Sequence, residues 1–178
     1  MATLSTSAWI AHEVGLATAL GGTLFGRQAF QPAIREIDDD QTRYQVSDAA
    51  WRRFSWVNLA AHGVVAATWF VGRSMLSGRE VSGTARTLTR VKDALVIASL
   101  ATGITSVIAG RILGKRTTEQ GARATKAERE NADRLRRVVG TLGLANLASN
   151  IGIGAVTAVL AMEGNKSGRF SVRSRWLP

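Results

Sequence analysis

The amino-acid sequence predicts an all-α fold: an integral membrane four-helix bundle that forms a single transmembrane domain over residues 1–178. Apolar residues fall into four blocks, and the charged residues lie between the blocks. A bilayer core about 30 Å thick requires about 20 mostly apolar residues in a helix. A soluble bundle is the disfavoured alternative, because it would have to bury four helices that have little polar face. We expect transmembrane helices at about residues 8–26, 54–72, 94–113 and 138–162.

The first block is interrupted only by His12 and Glu13. No Lys or Arg precedes Arg27, so the block lacks the positive start that is typical of a signal peptide. We therefore interpret it as a helix of the mature protein.

The first connection, residues 27–53, is predicted to form a helical extension. An apolar stripe continues from the first block, which indicates that helix one runs to about Asp38. Pro32 lacks an amide hydrogen, so we expect a bend there. Ser47 is a possible cap for the second helix, although that helix could begin earlier.

The third connection, residues 114–137, is polar, rich in alanine and free of proline. This composition favours a helical extension of the fourth helix that begins at about Thr118. A disordered charged loop is the alternative. Residues 163–178 are predicted to form a basic C-terminal tail.

The distribution of cations predicts the orientation. Residues 27–53 and 111–137 together carry 14 Lys and Arg residues, whereas residues 73–92 and 163–178 carry 9. The positive-inside rule places the first pair of segments in the cytoplasm and both termini outside it, in a plasma (inner) membrane. The net charge of +10 is therefore assigned to membrane flanks and anionic lipid headgroups, and we expect no nucleic-acid partner.

An internal repeat is suggested by short matches. A Gly-Arg pair ends blocks one and three, and an Arg-Arg pair precedes blocks two and four, each with an offset of 84 residues. The sequence NLAAH from Asn58 resembles NLASN from Asn146, with an offset of 88. These matches indicate two helical hairpins in parallel orientation.

Small and amide side chains predict how the helices pack. Small residues let helix backbones approach closely in lipid, and amides hydrogen-bond between helices. We expect association with further copies or other membrane subunits; packing within one bundle is the alternative. The predicted packing residues are Gly15, Ala19, Gly22, Gly26, Gly103, Gly110, Asn58, Asn146 and Asn150.

Ionisable residues within the blocks are candidate site residues, because they are costly in a bilayer. Glu13 has a simpler explanation, since it favours the positive end of a helix near the outer interface. His62 lies near the middle of its block and could bind between helices by hydrogen bonding. The alternatives are a haem b held by His12 and His62, or a copper site with His12 and Glu13. The unequal depths of the two histidines disfavour the haem.

The sequence AHEVGLATALGGTLFGRQAFQPAIRE resembles the first hairpin of the copper-resistance D superfamily and its small four-helix relatives of unassigned function. The matching positions are His12, Gly21, Gly22 and Pro32. The resemblance covers about 30 residues, and alanine and leucine stand where the family has tryptophan before the glycine pair. It implies a membrane hairpin protein and weakly implies copper handling, since the chain has 2 His, 3 Met and no Cys.

No catalytic motif of a soluble enzyme is present, so we predict that the protein is not an enzyme. We expect a structural or accessory membrane subunit that packs through small-residue helix faces into a homo-oligomer or a larger complex. A haem b-binding or copper-binding transport protein that uses His12, Glu13 and His62 is the alternative.

Overall fold

The computed structural model describes residues 2–76, 83–120 and 125–173, and every regular element among them is helical. The predicted all-α fold is confirmed for these residues. Four helices are long, and one is short. The elements are α1 (Ala2–Phe25), a π-helical turn (Gly26–Phe30), α2 (Gln31–Arg35), α3 (Asp40–Leu76), α4 (Gly83–Gln120) and α5 (Lys126–Arg173).

The four long helices form a bundle in which each packs on two others. The most extensive contacts join α1 to α3 and α4 to α5, and α3 with α4 and α1 with α5 complete the ring. This is the pairing that two successive helical hairpins require.

The bend after the first helix is a π-helical turn followed by Pro32 in the first turn of α2. Proline has no amide hydrogen to donate to the preceding turn, and the π-helical turn lets the helix continue past this missing hydrogen bond. Gly26 opens this turn, and a Cβ there would lie 2.5 Å from the Trp51 ring. The helical path then ends at Arg35, three residues before the predicted Asp38.

Helix α3 begins at Asp40, so Ser47 lies within it and does not cap it. The cap is Asp39, whose Oδ2 accepts a hydrogen bond from the Thr42 amide at 2.7 Å. The bonds from Thr42 stabilise the carboxylate and lower the pKa of Asp39. Arg43 closes the preceding loop by donating to the Ile37 carbonyl from Nε and Nη2 at 2.9 and 2.7 Å.

The third connection is helical at both ends. The predicted start of the fourth helix at Thr118 was wrong, because α4 continues to Gln120 and α5 begins at Lys126. Thr125 and Glu128 form the cap of α5. Thr125 donates to Glu128 Oε2 from its amide and from its hydroxyl, at 2.7 and 2.8 Å. Residues 121–124 lie outside the described residues. The predicted basic tail is part of α5 as far as Arg173, beyond which nothing is described.

Three helices are long and apolar enough to cross a membrane, by length and composition: Asp40–Gly72, Gly83–Gly114 and Lys126–Met162. They correspond to predicted spans two, three and four. The first predicted span, in α1, is not among them, since His12 and Glu13 lower the hydropathy of its apolar block.

The interior of this bundle is as polar as it is apolar. Of the residues whose burial is described, eight apolar and eight polar or charged side chains are buried, whereas large apolar side chains such as Ile97, Ile108 and Val71 are more than half exposed. The buried polar set is His12, His62, Lys92, Ser99, Asn146, Ser149, Asn150 and Thr157.

Candidate functional site

An apolar layer separates two groups of buried and half-buried side chains that carry polar atoms. Leu16, Val65, Val96 and Ile153 pack together, one from each long helix. His62 and the amides of α5 lie on one side of this layer and are called here the central network. His12, Thr68, Trp69 and Lys92 lie on the other side and are called the outer cluster.

The central network fixes the tautomer of His62. Nδ1 lies 2.7 Å from the Asn58 carbonyl oxygen, which can only accept a hydrogen bond, so Nδ1 carries the proton. Nε2 is then an acceptor, and the Asn146 amide donates to it at 3.1 Å. Both nitrogens of this buried neutral imidazole are therefore satisfied.

The other members of the central network satisfy one another. Asn150 donates to Asn146 Oδ1 at 3.0 Å, and the Ser99 hydroxyl donates to Asn150 Oδ1 at 2.9 Å. Asn146 Nδ2 also lies 2.7 Å from the Ser99 carbonyl oxygen. The network joins α3, α4 and α5, and interhelical hydrogen bonds of this kind contribute about 0.6–2 kcal/mol each within membranes.

In the outer cluster, the Thr68 hydroxyl donates to the Val64 carbonyl at 2.6 Å. Its oxygen can therefore only accept from His12, whose Nδ1 lies 3.0 Å away. His12 thus carries its proton on Nδ1, as His62 does. Among the described residues, the buried Nε2 of His12 has no hydrogen-bond partner, whereas His62 Nε2 has one, and the His12 side chain is only 3% exposed.

Lys92 interacts electrostatically with this imidazole and is only 1% exposed. Its Nζ sits 4.1 Å from the centre of the Trp69 ring, and the Trp69 indole donates to Asp93 Oδ1 at 2.9 Å. His12 and Glu13 both interact electrostatically with the ammonium. Within residues 2–76, 83–120 and 125–173, no carboxylate forms a salt bridge with Lys92.

The structure does not bring the predicted cofactor ligands into one site. His12 meets α3 at Thr68, six residues beyond His62 and therefore about 9 Å further along the helix axis. Val65 of the apolar layer lies between these two levels, and His62 Nε2 already accepts from Asn146. Among the described residues, no three His, Cys, Asp or Glu side chains gather as a metal site would need. The haem b and copper sites stay predictions.

The predicted small-residue face of α1 packs against α3. A Cβ at Gly15 would lie 3.0 Å from the Ala61 carbonyl oxygen, and one at Gly22 would overlap the Phe54 ring. Ala19 is fully buried. This face is thus used inside the bundle.

The packing residues of the other helices differ. Gly103 is buried, and a Cβ there would make ordinary contacts with Asn146 at 3.6 Å and His62 at 3.8 Å. Gly110 has no neighbour within 4 Å of a Cβ. The amides of Asn146 and Asn150 hydrogen-bond to residues of other helices.

Sequence reasoning missed Lys92, which was counted among the cations of a connection because it precedes the third apolar block. A signal was available in the helical spacing. Lys92, Val96, Ser99 and Gly103 are separated by four, three and four residues, which places them on one face of α4. All four are buried.

The opposite end of the bundle pairs arginines with aromatic rings and a backbone oxygen. Arg111 lies 5.0 Å from the centre of the Trp56 ring, and Arg136 lies 5.6 Å from that of Tyr44. Arg27 donates to the Gly140 carbonyl at 2.8 Å and so connects the π-helical turn to α5.

No protein-family model, curated protein or solved structure matches this chain. The resemblance of its first hairpin to the copper-resistance D superfamily therefore stays an expectation from the sequence.

Proposed function

We propose that the protein is a non-catalytic integral membrane four-helix bundle that assembles with further copies of itself, as a structural or accessory subunit. The distribution of side chains supports membrane insertion. Polar groups lie inside the bundle and large apolar groups lie outside, which is how a bilayer-embedded bundle arranges them. Water would select the opposite arrangement.

Helix α1 shares the membrane with the other three helices. It contacts α3 at Thr68, Val65 and Phe54, that is, along much of the apolar part of α3. A helix that packs this closely along a transmembrane helix lies at the same depth in the bilayer. His12, the most polar buried group of α1, faces the bundle interior.

The orientation follows the cations. The end of the bundle with Arg27, Arg111 and Arg136 is the cytoplasmic end of a plasma (inner) membrane protein, and both termini lie outside. Trp56 and Tyr44 beside two of these arginines fit an aromatic belt at the headgroups.

A non-catalytic role is supported by the central network. Its histidine, amide and hydroxyl groups bond to one another and to the backbone, so their polar atoms are engaged in holding α3, α4 and α5 together. Buried networks that satisfy themselves in this way rigidify a core and specify one arrangement of it.

The observation that carries the assembly proposal is an outward face of small residues on α3. Ala60, Gly63 and Ala67 are all exposed, at spacings of three and four residues. A Cβ at Gly63 would have no neighbour within 4 Å among the described residues. Such a face lets a second helix approach closely in lipid. The face of α1 that the sequence offered for this purpose is already occupied by α3.

The test is the intact mass of the protein purified in mild detergent, against 19.0 kDa for one chain. We expect a homo-oligomer, and Gly63→Leu should reduce it to a folded monomer because the bulkier side chain separates the facing backbones. Gly21→Leu is the matched control, since Gly21 is also exposed and open but lies on α1. A wild-type protein that is monomeric at all concentrations would contradict the proposal.

The absorption spectrum and metal content of the same sample test the alternative. A Soret band or stoichiometric copper would replace the assembly proposal with a cofactor-binding role, and would make His12 the first residue to substitute. A colourless, metal-free oligomer is the result that the proposal requires.

A further inference from the structure

The two buried histidines provide an internal comparison. Both carry the proton on Nδ1, and both donate it to an oxygen of α3. His62 Nε2 accepts from Asn146, whereas His12 Nε2 has no partner within the described part of the chain. A buried imidazole nitrogen with an unused lone pair is a costly feature in a chain that satisfies its other histidine completely.

Lys92 is a buried cation that interacts electrostatically with the same imidazole, and it needs a hydrogen-bond acceptor where His12 Nε2 needs a donor. Its ammonium can donate three hydrogen bonds. The Trp69 ring attracts the positive charge but offers no oxygen or nitrogen lone pair that could accept one of them. Burial of such a charge is costly unless an anion accompanies it. Glu13 is exposed and forms no salt bridge with Lys92 among the described residues, and Asp93 Oδ1 accepts from the Trp69 indole.

We propose that His12 and Lys92 form a binding site for a small oxyanion that carries a proton, such as a phosphate. The hydroxyl of the anion donates to His12 Nε2, and a negatively charged oxygen accepts from Lys92 Nζ. One ligand thereby satisfies an acceptor and a cation that the protein leaves without such partners. The shared chemistry is that of a free phosphate or of a phosphate monoester on a lipid headgroup.

The bundle defines how this site is reached. Leu16, Val65 and Val96 of the apolar layer separate it from the central network. The ligand therefore enters from the end of the bundle where α1 begins and α4 has its first turns, which the proposed orientation places outside the cytoplasm. The site lies between α1, α3 and α4, so an anion bound there would join three helices.

The experiment compares phosphate with sulfate at neutral pH and equal ionic strength. Phosphate keeps a hydroxyl under these conditions and sulfate has none, although their sizes and shapes are similar. Thermal unfolding of the purified full-length protein in mild detergent is followed while either salt is added. A ligand that binds only the folded state raises Tm in a saturable way. We expect this rise with phosphate and not with sulfate.

Variants assign the effect to the two side chains. Lys92→Met and His12→Phe should each weaken phosphate binding about tenfold or more, because each removes a charge-assisted hydrogen bond. Arg90→Met is the matched control, since it removes a cation from the same helix at an exposed position. Glu13→Gln should strengthen binding, because it removes a negative charge that acts on Lys92.

A second arm identifies the source of the anion. Micelles that contain phosphatidic acid are compared with micelles that contain phosphatidylcholine, whose phosphate diester has no hydroxyl. A Lys92-dependent Tm rise with inorganic phosphate assigns a free anion, and one with phosphatidic acid alone assigns a lipid headgroup. The proposal is overturned if neither probe raises Tm, if sulfate acts as phosphate does, or if Lys92→Met retains the effect. Each variant is first melted without anion, so loss of folding is distinguished from loss of binding.

Discussion

The adjacent glycines Gly21 and Gly22 allow the packing of α1 on α3 to be measured by single methyl groups. A methyl at Gly21 meets no atom within 4 Å, whereas a methyl at Gly22 overlaps the ring of Phe54. That ring cannot move freely, because it packs edge-on against Trp51 at 5.8 Å between centroids. Trp51 in turn covers Gly26.

The expected magnitudes follow from this difference. Both substitutions to alanine gain about 0.8–1 kcal/mol of helix propensity. Gly22→Ala must additionally displace the two rings, and overpacking of this kind costs about 1–3 kcal/mol. Gly21→Ala should therefore be stabilising by about 1 kcal/mol, and Gly22→Ala should be less stable than Gly21→Ala by about 1–3 kcal/mol.

The assay is reversible unfolding in mixed micelles with a denaturing detergent, followed by circular dichroism. A double-mutant cycle with Phe54→Ala isolates the overlap, since the penalty of Gly22→Ala should disappear when the ring is absent. Equal stabilities for the two alanine variants, or a penalty that persists without the ring, would refute the packing of α1 on α3.

Three further predictions concern individual polar groups. Asn146→Ala should lower the free energy of unfolding by about 1–3 kcal/mol, because it removes the nearer of the two amides that face His62 Nε2. Ser149→Ala removes only a bond to the backbone of its own helix and should cost less than about 0.5 kcal/mol in the same assay. Lys92→Met should be neutral or stabilising by about 1–4 kcal/mol in thermal melts, because it removes a buried charge that forms no salt bridge among the described residues. A strong loss of stability would show that the ammonium has a partner within the protein. The folded-state pKa of Asp39 is lowered, so its contribution to stability as a cap is fully present above the ordinary pKa of an aspartate and is lost as the pH falls through the lowered value. Asp39→Asn should abolish this pH dependence of stability. A carboxyl titration by NMR that gives Asp39 an ordinary pKa would contradict the cap.

The sequence predicted the helices better than their ends. Apolar blocks separated by charged segments locate four long helices, because helix length and apolar content are properties of the sequence itself. The ends depend on caps, and the choice among several candidate caps is made by geometry. Ser47 has the right chemistry for a cap, yet Asp39 caps α3 because the loop closed by Arg43 places it there. The fourth helix begins at Lys126 and not at about Thr118, and the Thr125–Glu128 bonds cap it there.

The residues of the two polar groups were predicted only in part. His12, His62, Asn146 and Asn150 stand out in the sequence because each interrupts an apolar block. The partners that define their roles come from other helices, and which helix faces which could not be read from the sequence. Lys92 was missed because a cation beside an apolar block is normally an interface residue, and its burial over the Trp69 ring depends on how α4 packs against the other helices.

Which helix covers each small residue could not be predicted from the sequence either. Sequence spacing indicates that a face of α1 can approach another helix, but it does not say whether that helix belongs to the same chain. Gly15, Gly22 and Gly26 are covered by α3, whereas Gly63 is open. Assembly is therefore proposed for a different helix from the one that the spacing first suggested.

The central claim is that the exposed apolar faces of this bundle contact lipid. The chain has no cysteine, so single cysteines can be introduced at Ile97, Ile104 and Ile108, which are 58%, 41% and 54% exposed on α4, and spin-labelled in reconstituted vesicles. Power-saturation measurements compare collisions of each label with oxygen, which dissolves in the bilayer, and with a polar nickel complex, which does not. We expect high oxygen and low nickel accessibility at all three positions, and high nickel accessibility there would contradict contact of these faces with lipid.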